Sequence, residues 1–355
     1  MKKILVIRFS SIGDIVLTTP VIRCLKNQLQ EVEIHVLTKK KFSNLYKTNP
    51  YINKVYEFDD SLKRNIEELK IEHYDYVVDL QKNKRSVRVT RALGRPHASF
   101  PKLNFRKFLL STFKINIMPD IHIVDRYFKA VEKLGVKNDY QGLDFFISEK
   151  NNYDISQLPE NFQKGYYAFV IGGTYKTKIL PAVKIIEIIK KINKAVVLLG
   201  GPDDVERAEE IIYGVNSLQS TDDRHRSQDS SSDSQILRFS DSQILNLVGK
   251  INLEQSASIV KNADSVLTND TGLMHIAAAF HKNIVSVWGN TVPELGMYPY
   301  LPKGKEKCHI VECKDVRCRP CSKLGFKECP KKHFRCMMEI DVEEVVKLMD
   351  NELYS

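Results

Sequence analysis

A polar turn that leads into an alanine-rich helix is the clearest chemical pattern in this sequence. The apolar run that ends at Thr268 predicts a buried strand, and Asp270, Thr271 and Gly272 follow it at the start of a predicted helix. The free N–H groups of a helix N-terminus, together with a threonine hydroxyl, suit a diphosphate. His275 lies one turn into that helix. Its position fits a ligand contact, but it is also typical of a core or capping histidine, and the sequence leaves both open.

A second polar loop follows the first predicted strand. It runs from Arg8 to Asp14 and contains Ser10, Ser11 and Gly13. In an α/β protein the carboxyl end of a strand opens into the ligand cleft, so Asp14 stands where catalytic groups usually lie. An aspartate at this point can equally cap the helix that follows. The spacing alone favours neither alternative.

A third loop, after the strand predicted at 167–171, is rich in glycine, hydroxyl groups and lysine. Its two glycines let backbone N–H groups approach an anion, and Thr174, Thr177 and Lys178 add side-chain donors. The G-x-x-x-x-G-K-[ST] spacing of a P-loop is absent. The loop therefore predicts a phosphate contact of a different type. The turn at 200–204 adds two carboxylates, which suit either ribose hydroxyls or a helix cap.

These loops must be positioned by strands that alternate with helices along the chain. Strands are predicted at 4–7, 33–37 and 76–80, and the alternation restarts after the polar stretch 150–165. Such alternation favours a parallel sheet covered on both faces. A length of 355 residues, with 43% hydrophobic and 28% charged residues, is typical of a globular chain of two domains. We expect an α/β fold in which two Rossmann-like domains face each other across a cleft.

One polar stretch, 216–241, breaks this alternation. It is dominated by Ser, Asp, Gln and Arg, and the six residues Ser232–Leu237 recur as Ser240–Leu245. A segment of this composition has too little apolar surface to order itself. We expect a disordered surface insertion, with a regulatory role as the alternative.

The order of these loops matches a known family. The S-S-x-G-D loop that ends at Asp14, the block Thr177–Pro181, the G-G-P-D-D turn and above all the block Asp270–Ala279 resemble the family-9 glycosyltransferases. These are the ADP-heptose:lipopolysaccharide heptosyltransferases. The resemblance covers most of the chain and implies a GT-B fold.

The resemblance also implies which substrate each domain binds. It implies an acceptor-binding domain over 1–155 and a nucleotide-sugar-binding domain over 156–340. A C-terminal helix in 341–355 is expected to pack back toward the first domain. The expected donor is ADP-heptose, with another nucleotide sugar as the alternative, used as a co-substrate with no cofactor and no metal site.

The family's chemistry is carried over by motif. Asp14 corresponds to the general base, which takes the proton of the acceptor hydroxyl as that oxygen attacks the anomeric carbon, so that the configuration inverts. Lys178 corresponds to the lysine that stabilises the departing diphosphate in place of a divalent metal. The residues expected to bind the donor are Ser10, Ser11, Gly13, Thr174, Thr177, Asp270, Thr271, Gly272 and His275.

A basic segment indicates an anionic partner. The net charge is +10, and residues 80–119 contain ten Lys and Arg but no acidic residue. Arg85, Arg88 and Arg91 are spaced to share one side of a helix. We expect this face to bind a phosphorylated lipopolysaccharide core at the cytoplasmic face of the inner membrane, and a merely solvated face is the alternative. Nucleic acid is disfavoured because the chain has no recognised nucleic-acid module.

The cysteines gather near the end of the chain. Cys318 and Cys321, followed by Cys329 and Cys336, predict either a structural zinc site or free or redox-exchanging thiols. The second pair is wider than usual for zinc. Because the first apolar run is too short for a signal-peptide core, and because the cysteines form one local group, we expect a cytoplasmic protein.

Two other functions compete with the transferase. A sugar-nucleotide epimerase of the same architecture would need further acid and base carboxylates and no lipid acceptor. A sugar-nucleotide-binding protein without activity would not need a base and a phosphate-binding cation together. The presence of both Asp14 and Lys178 argues against this second alternative.

Overall fold

A computed structural model describes residues 1–58, 61–217 and 243–350. Two parallel sheets form its framework, one built from residues 2–99 and the other from residues 167–312. The predicted α/β fold with two Rossmann-like domains is confirmed. The insertion predicted at 216–241 lies outside the described residues, apart from its first two positions.

The first sheet has five strands in the order β3-β2-β1-β4-β5. β1 is central because its apolar residues pair on both sides; Ile7, for example, is in register with Leu37 of β2 and with Asp79 of β4. The strands are β1 Lys2–Ile7, β2 Val32–Lys39, β3 Lys54–Phe58, β4 Tyr76–Asp79 and β5 His97–Ser99.

The second sheet has six strands in the order β11-β10-β9-β6-β7-β8. Counted from its own first strand this is 6-5-4-1-2-3, the doubly wound order, and the first sheet follows the same pattern with five. In each sheet the order reverses beside the first strand, at β1/β4 and at β6/β9. The strands are β6 Tyr167–Val170, β7 Val196–Leu199, β8 Ile244–Asn246, β9 Ser265–Asn269, β10 Asn283–Trp288 and β11 Cys308–Glu312.

Helices cover both sheets and connect their strands. The helices of the first half are α1 Ile12–Val16, α2 Thr19–Gln28, α3 Asn44–Lys47, α4 Lys63–Ile71, α5 Lys84–Leu93, α6 Asn104–Phe108 and α7 Ile123–Phe128. Those of the second half are α8 Glu160–Gln163, α9 Ala182–Ile189, α10 Val205–Ser217, α11 Leu253–Asn262, α12 Gly272–Ala279, α13 Arg335–Met338 and α14 Val342–Asp350. No helix in the described ranges combines the length and the apolar composition that spanning a membrane requires.

The two lobes meet where α1 packs against α12. Two glycines permit this contact: a Cβ on Gly13 would lie 2.6 Å from Cδ2 of His275, and a Cβ on Gly272 would lie 2.7 Å from Cγ2 of Ile12. The buried apolar residues around this contact form one continuous core that includes Ile15 and other residues of both lobes. The contact therefore fixes the N-terminal loop beside the start of α12.

The C-terminal helix differs from its prediction. It was expected to pack back toward the first domain, but α14 packs on the second sheet and on α9. Its apolar stripe, formed by Val342, Val345 and Met349, is buried in a core made of second-lobe residues alone. Burial of this stripe against the second sheet and α9 holds the helix on its own lobe.

Candidate active site

All three polar loops lie at carboxyl ends of strands beside the two switch points. The loop Ser10–Asp14 follows β1, the loop 172–178 follows β6, and the turn Asp270–Gly272 follows β9. Ligands of doubly wound sheets bind at such crevices. The contact between α1 and α12 brings the first and third loops together across the lobes.

Asp14 is held by an arginine from the end of β1. Its Oδ1 lies 2.6 Å from Nη2 of Arg8, and its Oδ2 accepts hydrogen bonds from the hydroxyl and the backbone N–H of Ser11, at 2.9 and 3.2 Å. Burial acts to raise the pKa of this carboxyl, but the Arg8 charge and the Ser11 hydrogen bonds outweigh it and hold the pKa below its ordinary value. Asp14 is therefore an ionised carboxylate at neutral pH.

This geometry accommodates both alternatives for Asp14. The carboxylate stands in the first turn of α1, and the bond from the Ser11 N–H caps that helix. The other oxygen is paired with Arg8, and the side chain remains 24% exposed. One oxygen thus serves the fold while the carboxylate stays accessible to a ligand.

Lys178 is the cation of the second lobe. Its Nζ lies 2.5 Å from Oδ2 of Asp270, and the Thr291 hydroxyl donates to the same oxygen at 2.9 Å. The two charged side chains are 16% and 13% exposed. An ammonium group is thereby fixed at the carboxyl ends of β6 and β9.

His275 lies between these two charged pairs. Its side chain is buried, and within the described residues its Nδ1 has no hydrogen-bond partner. Burial lowers the pKa of the imidazole to about 4, against the opposing charges of Asp270 and Asp14. His275 is therefore neutral at pH 7, with one polar atom left unpaired.

Comparison with known proteins decides the family. A model of glycosyltransferase family 9 (heptosyltransferase) matches residues 62–327, which is most of the chain. The chain belongs to glycosyltransferase family 9. The resemblance predicted from the sequence is confirmed, and so is the GT-B fold.

Individual relatives of this glycosyltransferase agree with the family match. The lipopolysaccharide heptosyltransferase 1 of Campylobacter coli is 26% identical over 317 residues, which are 81% of this chain and 84% of that protein. The lipopolysaccharide heptosyltransferase 2 of Escherichia coli K12 is 24% identical, with 87% of each chain covered. The structure of the E. coli ADP-heptose lipopolysaccharide heptosyltransferase II superimposes with a TM-score of 0.69 at 20% identity, over 99% of this chain and 98% of that one.

The remaining predicted donor-binding residues of this glycosyltransferase fall into two groups. Ser10 and Thr271 border the cleft, and Thr174 is exposed beside it. Thr177, in contrast, is buried; its hydroxyl donates to the Phe326 carbonyl at 3.1 Å and accepts from the Phe326 N–H at 2.8 Å. The structure therefore gives Thr177 a role in positioning the loop that carries Lys178.

One of the two carboxylates in the turn at 200–204, that of Asp204, caps the helix that follows. Oδ2 of Asp204 accepts from the Gly201 N–H at 2.9 Å, within the turn that starts α10. The capping alternative thus accounts for Asp204, and its local hydrogen bond gives no support to a ribose contact.

Several residues of the site were not identified from the sequence. Arg8 and Thr291 hold the two carboxylates, and the Asp14 charge also acts on Lys102 and Lys107, which places both lysines near the cleft. A strand-end rule would have found Thr291, which follows β10. No sequence signal separates Lys102 and Lys107 from the other cations of their basic segment.

The cysteines give no metal centre in this glycosyltransferase as described. All seven are free thiols, and Sγ of Cys318 lies 3.8 Å from Nε2 of His333. In the described ranges, no group of three or more His, Cys, Asp or Glu side chains is arranged to hold a metal ion. Since Cys321 and Cys336 also interact with Cys318, the zinc site and the free thiols both stay predictions.

Proposed function

We propose that this glycosyltransferase transfers a heptose from ADP-heptose to a phosphorylated lipopolysaccharide core acceptor, with inversion at the anomeric carbon. The family and the names of its heptosyltransferase relatives support the sugar and the acceptor class. The observation that carries the mechanism is the packing of the Asp14 loop against the turn that starts α12. This packing sets a base from one lobe beside a diphosphate site from the other.

Asp14 acts as the general base. The ionised carboxylate accepts the proton of the acceptor hydroxyl while that oxygen forms a bond to the anomeric carbon. Arg8 supports this role because it is held by several further hydrogen bonds: it donates to the carbonyl of Leu80 at 2.6 Å, to that of Ser10 at 2.8 Å and to the Tyr127 hydroxyl at 3.1 Å. It is a positioning residue that keeps Asp14 ionised and correctly oriented.

The second lobe stabilises the leaving group. As the bond between the anomeric carbon and the diphosphate breaks, negative charge develops on the ADP oxygens. Lys178 and the N–H groups at the start of α12 meet this charge, beside Thr271. A fixed cation at this point takes the part that a divalent metal plays in other transferases, so we propose transfer without a metal.

Two groups of cations bind the acceptor. Lys102 and Lys107 form the inner group, since both respond to the charge of Asp14. Arg85, Arg88 and Arg91 are exposed along α5, which begins at the carboxyl end of β4 and so at the cleft edge. We propose that they form the outer group and that both groups face acceptor phosphates.

A panel of nucleotide sugars tests the donor. ADP-heptose should raise the melting temperature of the protein by several degrees at saturating concentration, and more than ADP-glucose or a UDP-sugar does. Incubation with a phosphorylated core acceptor should then give a product whose anomeric configuration is opposite to that of the donor, as measured by NMR. A retained configuration in that product would contradict the inverting mechanism, and conversion of ADP-heptose without an acceptor would favour the epimerase.

A triple variant tests the acceptor surface. Replacing Arg85, Arg88 and Arg91 by Gln should raise the acceptor KM about tenfold and reduce its salt dependence, with the donor KM unchanged. The matched control changes Lys303, Lys305 and Lys307 to Gln. These three exposed cations come just before β11, an edge strand of the second sheet. If the control raises the acceptor KM equally, the effect is one of net charge and the surface is wrongly assigned.

A further inference from the structure

Exposed apolar side chains concentrate in one short segment beside the cleft. Among the described residues fourteen large apolar side chains are exposed, and six of them fall within residues 105–121, where their exposure ranges from 45% to 70%. Single exposed apolar residues are ordinary on a protein surface, but a contiguous patch marks an interaction site. The six are Phe105, Phe108, Phe113, Ile115, Ile117 and Ile121.

The segment is packed in place, with its apolar side chains facing outward. It continues from α6 through a π-helical turn, and Leu110 in this turn is buried against Val292 and Leu295 of the second lobe. Nζ of Lys114 donates to the Pro320 carbonyl at 2.6 Å. These contacts hold the segment across the two lobes and keep its aromatic side chains in solvent.

The second lobe adds two exposed apolar side chains at the same place. Leu324 and Phe326 are 55% and 38% exposed, and Lys323 beside them lies close enough to Lys107 to lower its pKa. Their loop is tied to the site by the hydrogen bonds between Phe326 and Thr177. We call the six side chains of the segment, together with Leu324 and Phe326, the apolar rim.

The charged residues around the apolar rim indicate which kind of surface the rim binds. Arg106, Lys107 and Lys114 lie among its side chains, and residues 80–119 contain no acidic residue; Asp120 and Glu328 stand only at the ends of the two segments that form the rim. Aromatic and aliphatic side chains interspersed with Lys and Arg are the composition of segments that lie in the interface of anionic bilayers. A protein partner of that charge would have to be acidic and apolar together, whereas an anionic lipid surface has both properties by nature.

We propose that the apolar rim inserts into the surface of an anionic lipid bilayer and so holds the mouth of the cleft against the membrane. The inference rests on the proposed function in one respect, that the acceptor is a lipid. The acceptor's sugar head then reaches Asp14 while its lipid stays in the bilayer, because Lys107, which stands between Phe105 and Phe108 in the sequence, lies near enough to Asp14 to interact with its charge. The rim thus determines which physical form of acceptor the enzyme uses.

Vesicle binding tests the insertion directly. The wild type should co-sediment with phosphatidylcholine vesicles that contain about a third phosphatidylglycerol, and much less with phosphatidylcholine alone. Replacing Phe105 and Phe113 by Ser should weaken this binding at least about tenfold. The matched control, with Ile71 and Tyr213 changed to Ser, removes two equally exposed apolar side chains elsewhere and should bind as the wild type does.

Fluorescence tests the depth of the rim. The chain has one tryptophan, Trp288, which is buried in the second lobe and so gives a constant background. A Phe113→Trp variant should show a blue shift on addition of the anionic vesicles, and brominated lipid chains should quench its emission. An unchanged spectrum together with bound protein would show that another surface binds, which would overturn the proposal.

Activity separates this inference from the proposed function. The Phe105→Ser, Phe113→Ser double variant should use a deacylated acceptor in solution as well as the wild type does, but should lose about tenfold in rate on acceptor embedded in vesicles. If the wild type fails on both acceptors, the proposed function is wrong, whatever the vesicles show. If ultracentrifugation shows the wild type to be a dimer that the variant loses, and vesicles do not bind, the rim joins two copies and the bilayer proposal is wrong.

Discussion

Each lobe brings one cation and one carboxylate to the cleft, but the two pairs are built in opposite ways. In the first lobe Arg8 is the enclosed partner, with its side chain 7% exposed, while Asp14 is 24% exposed. In the second lobe the exposures are nearly equal, and the carboxylate of Asp270 is held by two donors, Lys178 and Thr291. In the first pair Arg8 has more hydrogen-bonding residues around it than Asp14 has. In the second pair Asp270 has more than Lys178.

This difference indicates which member of each pair does chemistry. A guanidinium with several fixed donors is rigid, so Arg8 orients a carboxylate that is free to act. An ammonium group is a point charge with three donors, so Lys178 can donate to a diphosphate oxygen while it stays paired with Asp270. The first pair thus fits the proposed base, and the second fits the proposed cation of an inverting transfer between the lobes.

The largest effect is expected from the base. An Asp14→Asn variant keeps the shape of the side chain but removes its negative charge and its basicity, so kcat should fall about 10³-fold. Binding of ADP, measured by calorimetry, should stay within about twofold of the wild type because the second lobe is unchanged. A variant that keeps more than a tenth of the wild-type kcat would show that Asp14 only caps α1.

Asp14→Asn also leaves the enclosed Arg8 without its ionic partner, so the fold needs its own control. A Ser11→Ala variant removes the hydroxyl that donates to Asp14 but keeps the charged pair. If both variants lose activity in proportion to a loss of melting temperature, the effect is structural. Loss of kcat in Asp14→Asn at a melting temperature equal to that of Ser11→Ala identifies the base.

The second pair should give a smaller effect of a different kind. A Lys178→Ala variant removes the cation that meets the developing charge, so kcat/KM should fall about 10²-fold and ADP should bind more weakly. The matched control is Thr291→Val, which removes the other donor to Asp270 and leaves the ammonium in place. Full activity of Lys178→Ala, or an equal loss in Thr291→Val, would show that the pair is structural.

The contrast between the pairs also shows what the sequence could predict. The parallel sheets, the family and the placing of Asp14, Lys178 and Asp270 at strand ends followed from local patterns, because alternating strands and helices determine where each loop emerges. The hydrogen-bond and ion-pair partners of these residues could not be predicted from such local patterns. Thr291 is 21 residues from Asp270 along the chain, and the two meet only through the register of β9 and β10.

For other residues, the sequence does not specify what the side chain packs against in the folded chain. The apolar stripe of α14 is visible in the sequence, but a stripe does not specify which lobe covers it. Thr177 has the residue type of a phosphate ligand, yet its hydroxyl is used by the backbone of Phe326, which is 149 residues away. Lys102 and Lys107 differ from their basic neighbours because burial lowers the pKa of both, that of Lys107 to about 8, and burial is a property of the folded chain.

The smallest and most specific effect is expected from Arg8, whose charge lowers the pKa of Asp14. An Arg8→Lys variant keeps a positive charge but cannot make the same set of hydrogen bonds, so the pKa of Asp14 should rise. Since the base must be ionised, activity is lost as the pH falls through that pKa. The acid limb of the kcat/KM profile should therefore move to higher pH, with about a tenfold loss at pH 5 and a smaller one at pH 8.

On the acid side of this pH profile, His275 adds a loss of stability to the loss of activity. Its pKa is about 4 in the fold and 6.5 in the unfolded chain, so the unfolded state takes up a proton first and stability is lost as the pH falls from 6.5 toward 4. Melting temperatures measured at each pH separate this loss from titration of Asp14, because both variant and wild type share it. If the acid limb of Arg8→Lys coincides with that of the wild type while its kcat falls equally at every pH, Arg8 positions Asp14 without tuning its charge.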